Sequence, residues 1–489
     1  MSKSYRSSLC VLLAFLLVLA APHLSRSINF SLCASVSEVT GHRLKSMLRR
    51  AAGQQPSRDV SGVPARQIRD WVRDGVVYEI FPRAFSQEGN FNGITAQLDR
   101  LKDLGVTILW LMPIHQIGQE KRKGSVGSPY AVRDFYSINP DYGTKEDLRR
   151  LVTETHRRGM KVIIDIVANH TSWDSVMMKE PGYYKHDAQG KIIWPYDWTD
   201  VAWLNYENPK LRDYMIDVLK YWIREFDLDG FRCDVAGEVP VDFWERARSE
   251  IEKVKPDIVM LAEASKPDLL VKAFDLDYAW PLHSTLSDVL MGSVPASAIR
   301  EVWEKERAKF PRGAIHMIFS DNHDERRAIA RFGERGALAA SALAFALDGV
   351  PLLYNGMEAG DTTESGAPAL FERLPIFWSN VERRRQFPLF YRQMISLRRD
   401  HPVLRRGEIK WARNSDERTV ISFLRRDLNE EFLVTINLSN RPFAGFVEVT
   451  NGSSFQNLTV DAFPLEHASA LPALTLESWE VRIFRRRLK

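Results

Sequence analysis

Four apolar runs in this chain each end on residues that can hold, donate or accept a proton. Asp229–Val239 reads DGFRCDVAGEV, and its strand-like Phe231, Arg232 and Cys233 run into Asp234. Lys161–His170 (KVIIDIVANH) carries Asp165, Asn169 and His170 toward its end. Ile258–Glu263 (IVMLAE) closes on Glu263, and Ile315–Asp324 (IHMIFSDNHD) on His323 and Asp324. A lone aspartate after an apolar run is commonly a helix N-cap. Four runs delivering acids or imidazoles at the same end are better explained by barrel strands feeding one site.

Acid–base and nucleophilic chemistry follows from these residue types. Glycosidic cleavage requires two carboxylates around the scissile bond, one ionised and one protonated. Arg232 and Asp234 are two residues apart, so in a strand they share a face, and a guanidinium there should keep Asp234 ionised and aimed. Glu263 follows Met260, Leu261 and Ala262, an apolar setting expected to raise its pKa and suit it to donating a proton. A metal site built from the same acids and histidines is the rival, weakened by the absence of HxH or HExxH spacing.

The elements that must position these groups alternate between short apolar runs and amphipathic helices. Strands are expected at Val76–Phe81, Val106–Ile114, Lys161–His170, the Asp234 run, the Glu263 run, Phe274–Trp280, the run to Asp324, and Val350–Tyr354. Between them, Ile94–Leu104 carries a helical stripe, and Thr144 with Asp147 three residues on resembles a capping box. Asn208–Pro209 opens a helix with a cap and Pro at its first position. Val241–Lys255 is a further helix.

Eight β-runs with helices between them predict an α/β fold, a (β/α)8 TIM barrel over 71–402. A short excursion over 170–207 follows the third strand. A doubly wound sheet is disfavoured because Pro82–Phe85 after the first strand is no glycine-rich phosphate loop. Alternating patterns such as Thr419–Leu424 and Glu431–Ile436 predict a C-terminal antiparallel β-sandwich over 403–489.

The 489 residues carry 67 basic and 63 acidic side chains, a balance that gives no reason to expect nucleic acid as a partner. Three cysteines (Cys10, Cys33, Cys233) provide no disulfide framework. Lys3 and Arg6 before the apolar run Leu9–Ala21 predict a leader over 1–27, an exported protein (secreted or periplasmic) and no membrane association once the leader is removed. An uncleaved anchor is the competing reading, although the run is short for a span of about 20 residues. Residues 28–70 read as a linker or arm.

Taken in order, these motifs resemble the α-amylase family of glycoside hydrolases (family 13). Gly105–Ile114, Asp165–His170 (DIVANH), Gly230–Asp234 (GFRCD), Glu263, Phe319–Asp324 (FSDNHD) and Gly349–Gly360 (GVPLLYNGMEAG) are similar to the family's strand-end signatures from the second strand to the eighth. The resemblance implies an α-1,4-glucan substrate and a retaining double displacement. In that scheme Asp234 is the nucleophile, Glu263 the acid/base and Asp324 the stabiliser of the transition state. It further implies that Arg232 orients Asp234, that His170 and His323 hold sugar hydroxyls, and that Tyr130 and Asp134 (in SPYAVRDFY) line the sugar site.

Departures bear on substrate. Gly237 and Glu238 stand where many relatives carry Lys-His. Asn169 matches a family calcium ligand, and Asp197 or Asp200 could add oxygens, but the set is incomplete and the metal is left open. Two further readings stand beside the hydrolase: a glucosyl transferase or disaccharide isomerase with the same chemistry, and a silent glucan-binding relative. All three acids are present, which weighs against the last. The oligomeric state is not legible in the sequence.

Overall fold

The computed structural model describes residues 59–462 and 470–488, so the leader and most of the expected linker lie outside the described residues. Eight parallel strands close a barrel in the order β1-β8-β7-β6-β5-β4-β3-β2. They are β1 (Val77–Ile80), β2 (Ile108–Leu111), β3 (Lys161–Ile166), β4 (Gly230–Cys233), β5 (Val259–Ala262), β6 (Leu276–Tyr278), β7 (His316–Ile318) and β8 (Val350–Tyr354). The fold is the α/β barrel expected, and the doubly wound alternative is excluded by closure.

Side-chain alternation along each strand sorts the core into two layers. Val77, Ile108, Ile163, Val259, Leu261, Leu276, Met317 and Leu352 fill the barrel interior. Tyr78, Leu109, Val162, Ile164, Phe231, Met260 and Leu353 face the surrounding helices. The same parity decides where the polar residues go. Glu79 shares the inward face with Val77, Asp165 with Ile163, and Glu263 with Leu261. The site is therefore the uppermost layer of the barrel filling.

Local chemistry sets the element bounds. Thr144 caps the helix Lys145–Arg157 with a full capping box through Asp147, and Asn208 accepts from the Lys210 N–H at the head of Pro209–Phe226. Gly230 is required by close approach: a Cβ there would lie 2.1 Å from the Val259 carbonyl oxygen on β5.

Three features differ from the sequence expectations. β3 ends at Ile166, and His170 begins a separate short strand (His170–Ser172) paired with Val201–Trp203. The backbone leaves the barrel there because the next backbone partners lie in the excursion. A hairpin of His115–Ile117 and Val132–Ile138 follows β2; its strands are short and part-buried, with little apolar signal. Residues 59–70, read as the end of a linker, are tied down by Ala65 N–H to the Arg312 carbonyl and Arg66 N–H to the Leu270 carbonyl.

Beyond the barrel lies an antiparallel sheet of β9 (Glu408–Trp411), β10 (Val420–Arg426), β11 (Glu430–Asn437), β13 (Gln456–Asn457) and β15 (Val481–Arg487), in the order β9-β10-β11-β15-β13. A two-stranded sheet of β12 (Phe443–Phe446) and β14 (Ala473–Leu476) packs on it through Phe443, Val447, Leu474 and Leu476 against Val420, Leu433 and Phe484.

Candidate active site

Arg232 is fully buried and organises the mouth of the barrel. Its Nη1 donates to Asp165 Oδ1 and Oδ2, each at 2.9 Å, and to Asp234 Oδ1 at 2.8 Å. Its Nη2 lies 2.9 Å from Glu263 Oε2, although its N–H vectors are not aimed at that oxygen. Its Nε donates to the Tyr278 hydroxyl at 3.1 Å. One guanidinium thus serves carboxylates from the ends of β3, β4 and β5. Glu263 Oε2 also accepts the Val235 N–H at 2.8 Å, so its carboxylate has polar neighbours; the wholly apolar setting expected from Met260–Ala262 is corrected.

The electrostatics of this cluster also revise an expectation. Burial pushes the Asp234 carboxyl well above its usual range; Arg232 opposes the rise, and Glu263 and Asp165 add to it. Burial likewise raises Asp165 to about 6 against the pull of Arg232. Arg232 aims Asp234, as its spacing predicted, but one cation does not offset three crowded carboxylates. The titration steps of Asp165 and Asp234 belong to the coupled pair rather than to either residue. On the helix-facing side of β4 the thiol of Cys233 is free and buried, with its pKa raised by burial.

Tyr130, His323 and Asp324 extend the cluster, with the Arg232 guanidinium 5.7 Å from the Tyr130 ring centroid. The Tyr130 hydroxyl stands 3.2 Å from Asp165 Oδ2 and 2.8 Å from His323 Nε2, and the two rings stack at 5.4 Å. His323 Nε2 is also 3.3 Å from Asp324 Oδ2, and Asp324 is the most open of the three predicted acids, with 37% of its side chain exposed against 7% for Asp234 and 17% for Glu263. Burial disfavours the His323 imidazolium, but Asp324 and Glu79 outweigh it and the pKa rises to about 9.

His170 lies at the excursion side, its ring edge-on to Trp198 at 5.5 Å. Burial lowers its pKa to about 4 despite the charge of Asp200, so it is a neutral hydrogen-bonding ring at ordinary pH. Asp134 is not part of the Arg232 cluster. Its carboxylate accepts the Tyr136 N–H at 2.9 Å and the Ser137 hydroxyl at 2.5 Å, closing a local turn in the hairpin. Asp134, which the family resemblance named together with Tyr130, lies on the hairpin strand Val132–Ile138, whereas Tyr130 precedes that strand.

Glu79 was missed. It is a lone acid within the apolar run VVYEIF, which is the signal that could have found it. It is fully buried on β1 and accepts from His323 Nδ1.

Two of the residues considered for calcium, Asn169 and Asp200, are engaged otherwise. Trp203 Nε1 donates to Asn169 Oδ1 at 3.1 Å, and Asp200 is paired with Lys123 at 2.6 Å. Among the described residues no group of three or more metal-ligating side chains is found. An ammonium at Asp200 does not fit a divalent cation on the same oxygens.

A closed parallel barrel with a guanidinium-centred trio of carboxylates at its C-terminal rim defines a barrel enzyme of carboxylate chemistry. The family model for the α-amylase catalytic domain matches residues 70–198 and 185–417. The chain therefore belongs to the α-amylase family of glycoside hydrolases. It is 29% identical over 407 residues to α-amylase MalA of Haloarcula japonica, covering 78% of this chain and 58% of that protein, so it spans somewhat over half the length of that relative. Among solved structures it is similar to an α-amylase from Lactobacillus plantarum (32% identity, TM-score 0.75, 85% of this chain and all of that one). It is likewise similar to a noncanonic maltogenic α-amylase, AmyB, from Thermotoga neapolitana (30% identity, TM-score 0.78, 86% and 100%).

Proposed function

We propose that the protein is a retaining hydrolase of α-1,4-glucosidic bonds in starch-type glucans and maltooligosaccharides. The observation that carries this reading is the single guanidinium of Arg232 held between Asp165, Asp234 and Glu263. It brings a candidate nucleophile and a candidate acid together on adjacent strand ends, the arrangement a double displacement needs.

In the first step the ionised Asp234 oxygen attacks the anomeric carbon. Glu263 gives its proton to the leaving oxygen as the glycosidic bond breaks. The product is a glycosyl ester on Asp234 and a free sugar hydroxyl. In the second step Glu263 takes a proton from water, whose oxygen attacks the anomeric carbon and expels Asp234. Two inversions retain the α-configuration. The Arg232 Nη1 donor on Asp234 Oδ1 steadies the nucleophile in its ionised form for this scheme. Asp324, the most open acid, faces the space where sugar hydroxyls would sit, and Tyr130 provides a flat aromatic wall.

The maltogenic relative supports short products. The loop after β4 agrees with a modified leaving-group side: Gly237 is small, and the Lys266 ammonium sits 3.5 Å from its carbonyl. Export rests on Lys3, Arg6 and the apolar run after them, and is part of the proposal.

The test is product analysis of the purified protein with maltoheptaose beside an Asp234→Asn control. Release of α-anomeric maltooligosaccharides that the control abolishes is the expected result. Intact substrate in both samples would sink the reading, and rearranged disaccharides from maltose or sucrose would move it to transfer.

A further inference from the structure

The His323 ring has a partner on each nitrogen, and the one at its back is Glu79, 244 positions away in the chain. Glu79 is fully buried on β1, between Trp110 of β2 and Tyr354 of β8 in the strand register. Its Oε1 accepts from His323 Nδ1, and its Oε2 has no hydrogen-bond partner. A buried carboxylate with one oxygen unsatisfied is costly. It meets His323 at Nδ1, the ring nitrogen away from Tyr130.

We propose that Glu79 is a positioning residue that holds His323 as a doubly protonated imidazolium, with Nε2–H directed at Tyr130 and Asp324. This rests on the hydrolase reading of the cleft, and it adds a second cation of the protein's own beside Tyr130 and Asp324. The hydrogen-bond polarity runs one way. Glu79 accepts from Nδ1–H, Nε2–H donates to the Tyr130 oxygen, and the Tyr130 O–H is left to donate to Asp165 Oδ2. A neutral His323 with Nδ1 protonated has only a lone pair at Nε2. The Tyr130 O–H would then turn toward the ring, Asp165 would lose its donor, and Asp324 would face no positive charge.

The charged and titratable groups around this pair come from several elements. Arg232 of β4 and Asp324 act on both Glu79 and His323. Asp321, Tyr278 and Tyr354 also feel Glu79, and Asp165 feels His323. Burial raises the Glu79 carboxyl, whereas His323 and Arg232 pull it back. The ring is pushed to about 9, so the imidazolium is the favoured form of His323 at neutral pH. This is the use of a carboxylate behind a histidine that fixes ring orientation and protonation.

The experiment compares the full chain with Glu79→Gln and Glu79→Asp, by 15N NMR titration of the histidine rings (His323 assigned with His323→Asn) and by kcat against pH on maltoheptaose. Glu79→Gln should move the His323 titration from near 9 to or below the ordinary 6.5. It should lower kcat at pH 7 by roughly tenfold to a hundredfold, the scale of other partners that orient a functional histidine, and bring the alkaline limb down with it. Glu79→Asp, which keeps the charge and carries the argument if the Gln variant fails to fold, should restore the high titration. A His323 titration unmoved in Glu79→Gln, or a lower kcat with an unshifted alkaline limb, overturns the proposal. If the parent chain hydrolyses no α-glucan the catalytic reading falls, while the NMR titration still decides what Glu79 does to His323.

Discussion

Arg232 Nη1 lies 2.8 Å from Asp234 Oδ1, and the two residues are separated by a single position on the strand. Strand geometry alone puts them on one face, and the fold then brings Asp165 and Glu263 to the same guanidinium. Removing the cation would leave buried carboxylates uncompensated. Arg232→Gln should therefore destabilise the protein by about 3–5 kcal/mol, the cost of breaking a buried pair by deleting one partner. Urea unfolding would show it, and an unchanged midpoint would mean that water or protons replace the arginine without penalty.

Glu263→Gln removes the transferable proton but preserves shape. Its kcat on maltooligosaccharides should fall by roughly 10²–10⁴, the usual share of general acid–base catalysis. Glucosyl donors whose leaving group needs no proton should lose far less in the first step. Equal losses on both kinds of donor would remove Glu263 from the acid role.

The pH dependence has a definite sign. His323 is raised from 6.5 to about 9, so its contribution to stability is fully present below 6.5 and is lost as pH rises through 9. Its size is on the order of 3 kcal/mol. Asp165 is raised from 3.8 to about 6, so the native state holds that proton more tightly, and stability from this group also declines as pH climbs through 6. Chemical denaturation at pH 6.5 and 9 should show a fall that is flattened in His323→Asn. For activity, the raised Asp234 places the acid limb of kcat/KM above the ordinary 3.8. A limb at or below 3.8 would contradict the crowding described around Arg232.

The tie between Lys123 and Asp200 makes a prediction about metal removal. Exhaustive chelation should leave Tm unchanged, whereas Lys123→Ala should cost about 1–3 kcal/mol because Asp200 is buried and loses its charged partner. A Tm that falls on chelation and recovers with calcium would show that other oxygens hold an ion.

The architecture and most of the cleft were legible in the sequence because strand periodicity and chemistry agree there. Val350–Tyr354 was read with its observed bounds, and the Thr144–Asp147 capping box was read from two residues. Legibility failed where meaning depends on distant partners. Glu79 looks like a stray acid until His323 is placed behind it. β3 was read through to His170 because Val167 and Ala168 continue the apolar texture, although that ring belongs to a strand facing Trp203. The setting of Glu263 was misjudged because its sequence neighbours are apolar while its spatial neighbour is Arg232.

Cys233 gives the barrel a built-in clock. Its thiol is buried on the helix-facing side of β4, with Phe231, so a disulfide reagent reaches it only when the packing over that side loosens. The modification rate of the peptide containing Cys233, followed by mass spectrometry in native buffer, is then a direct count of how often the layer packed outside β4, just below the catalytic rim, breathes open.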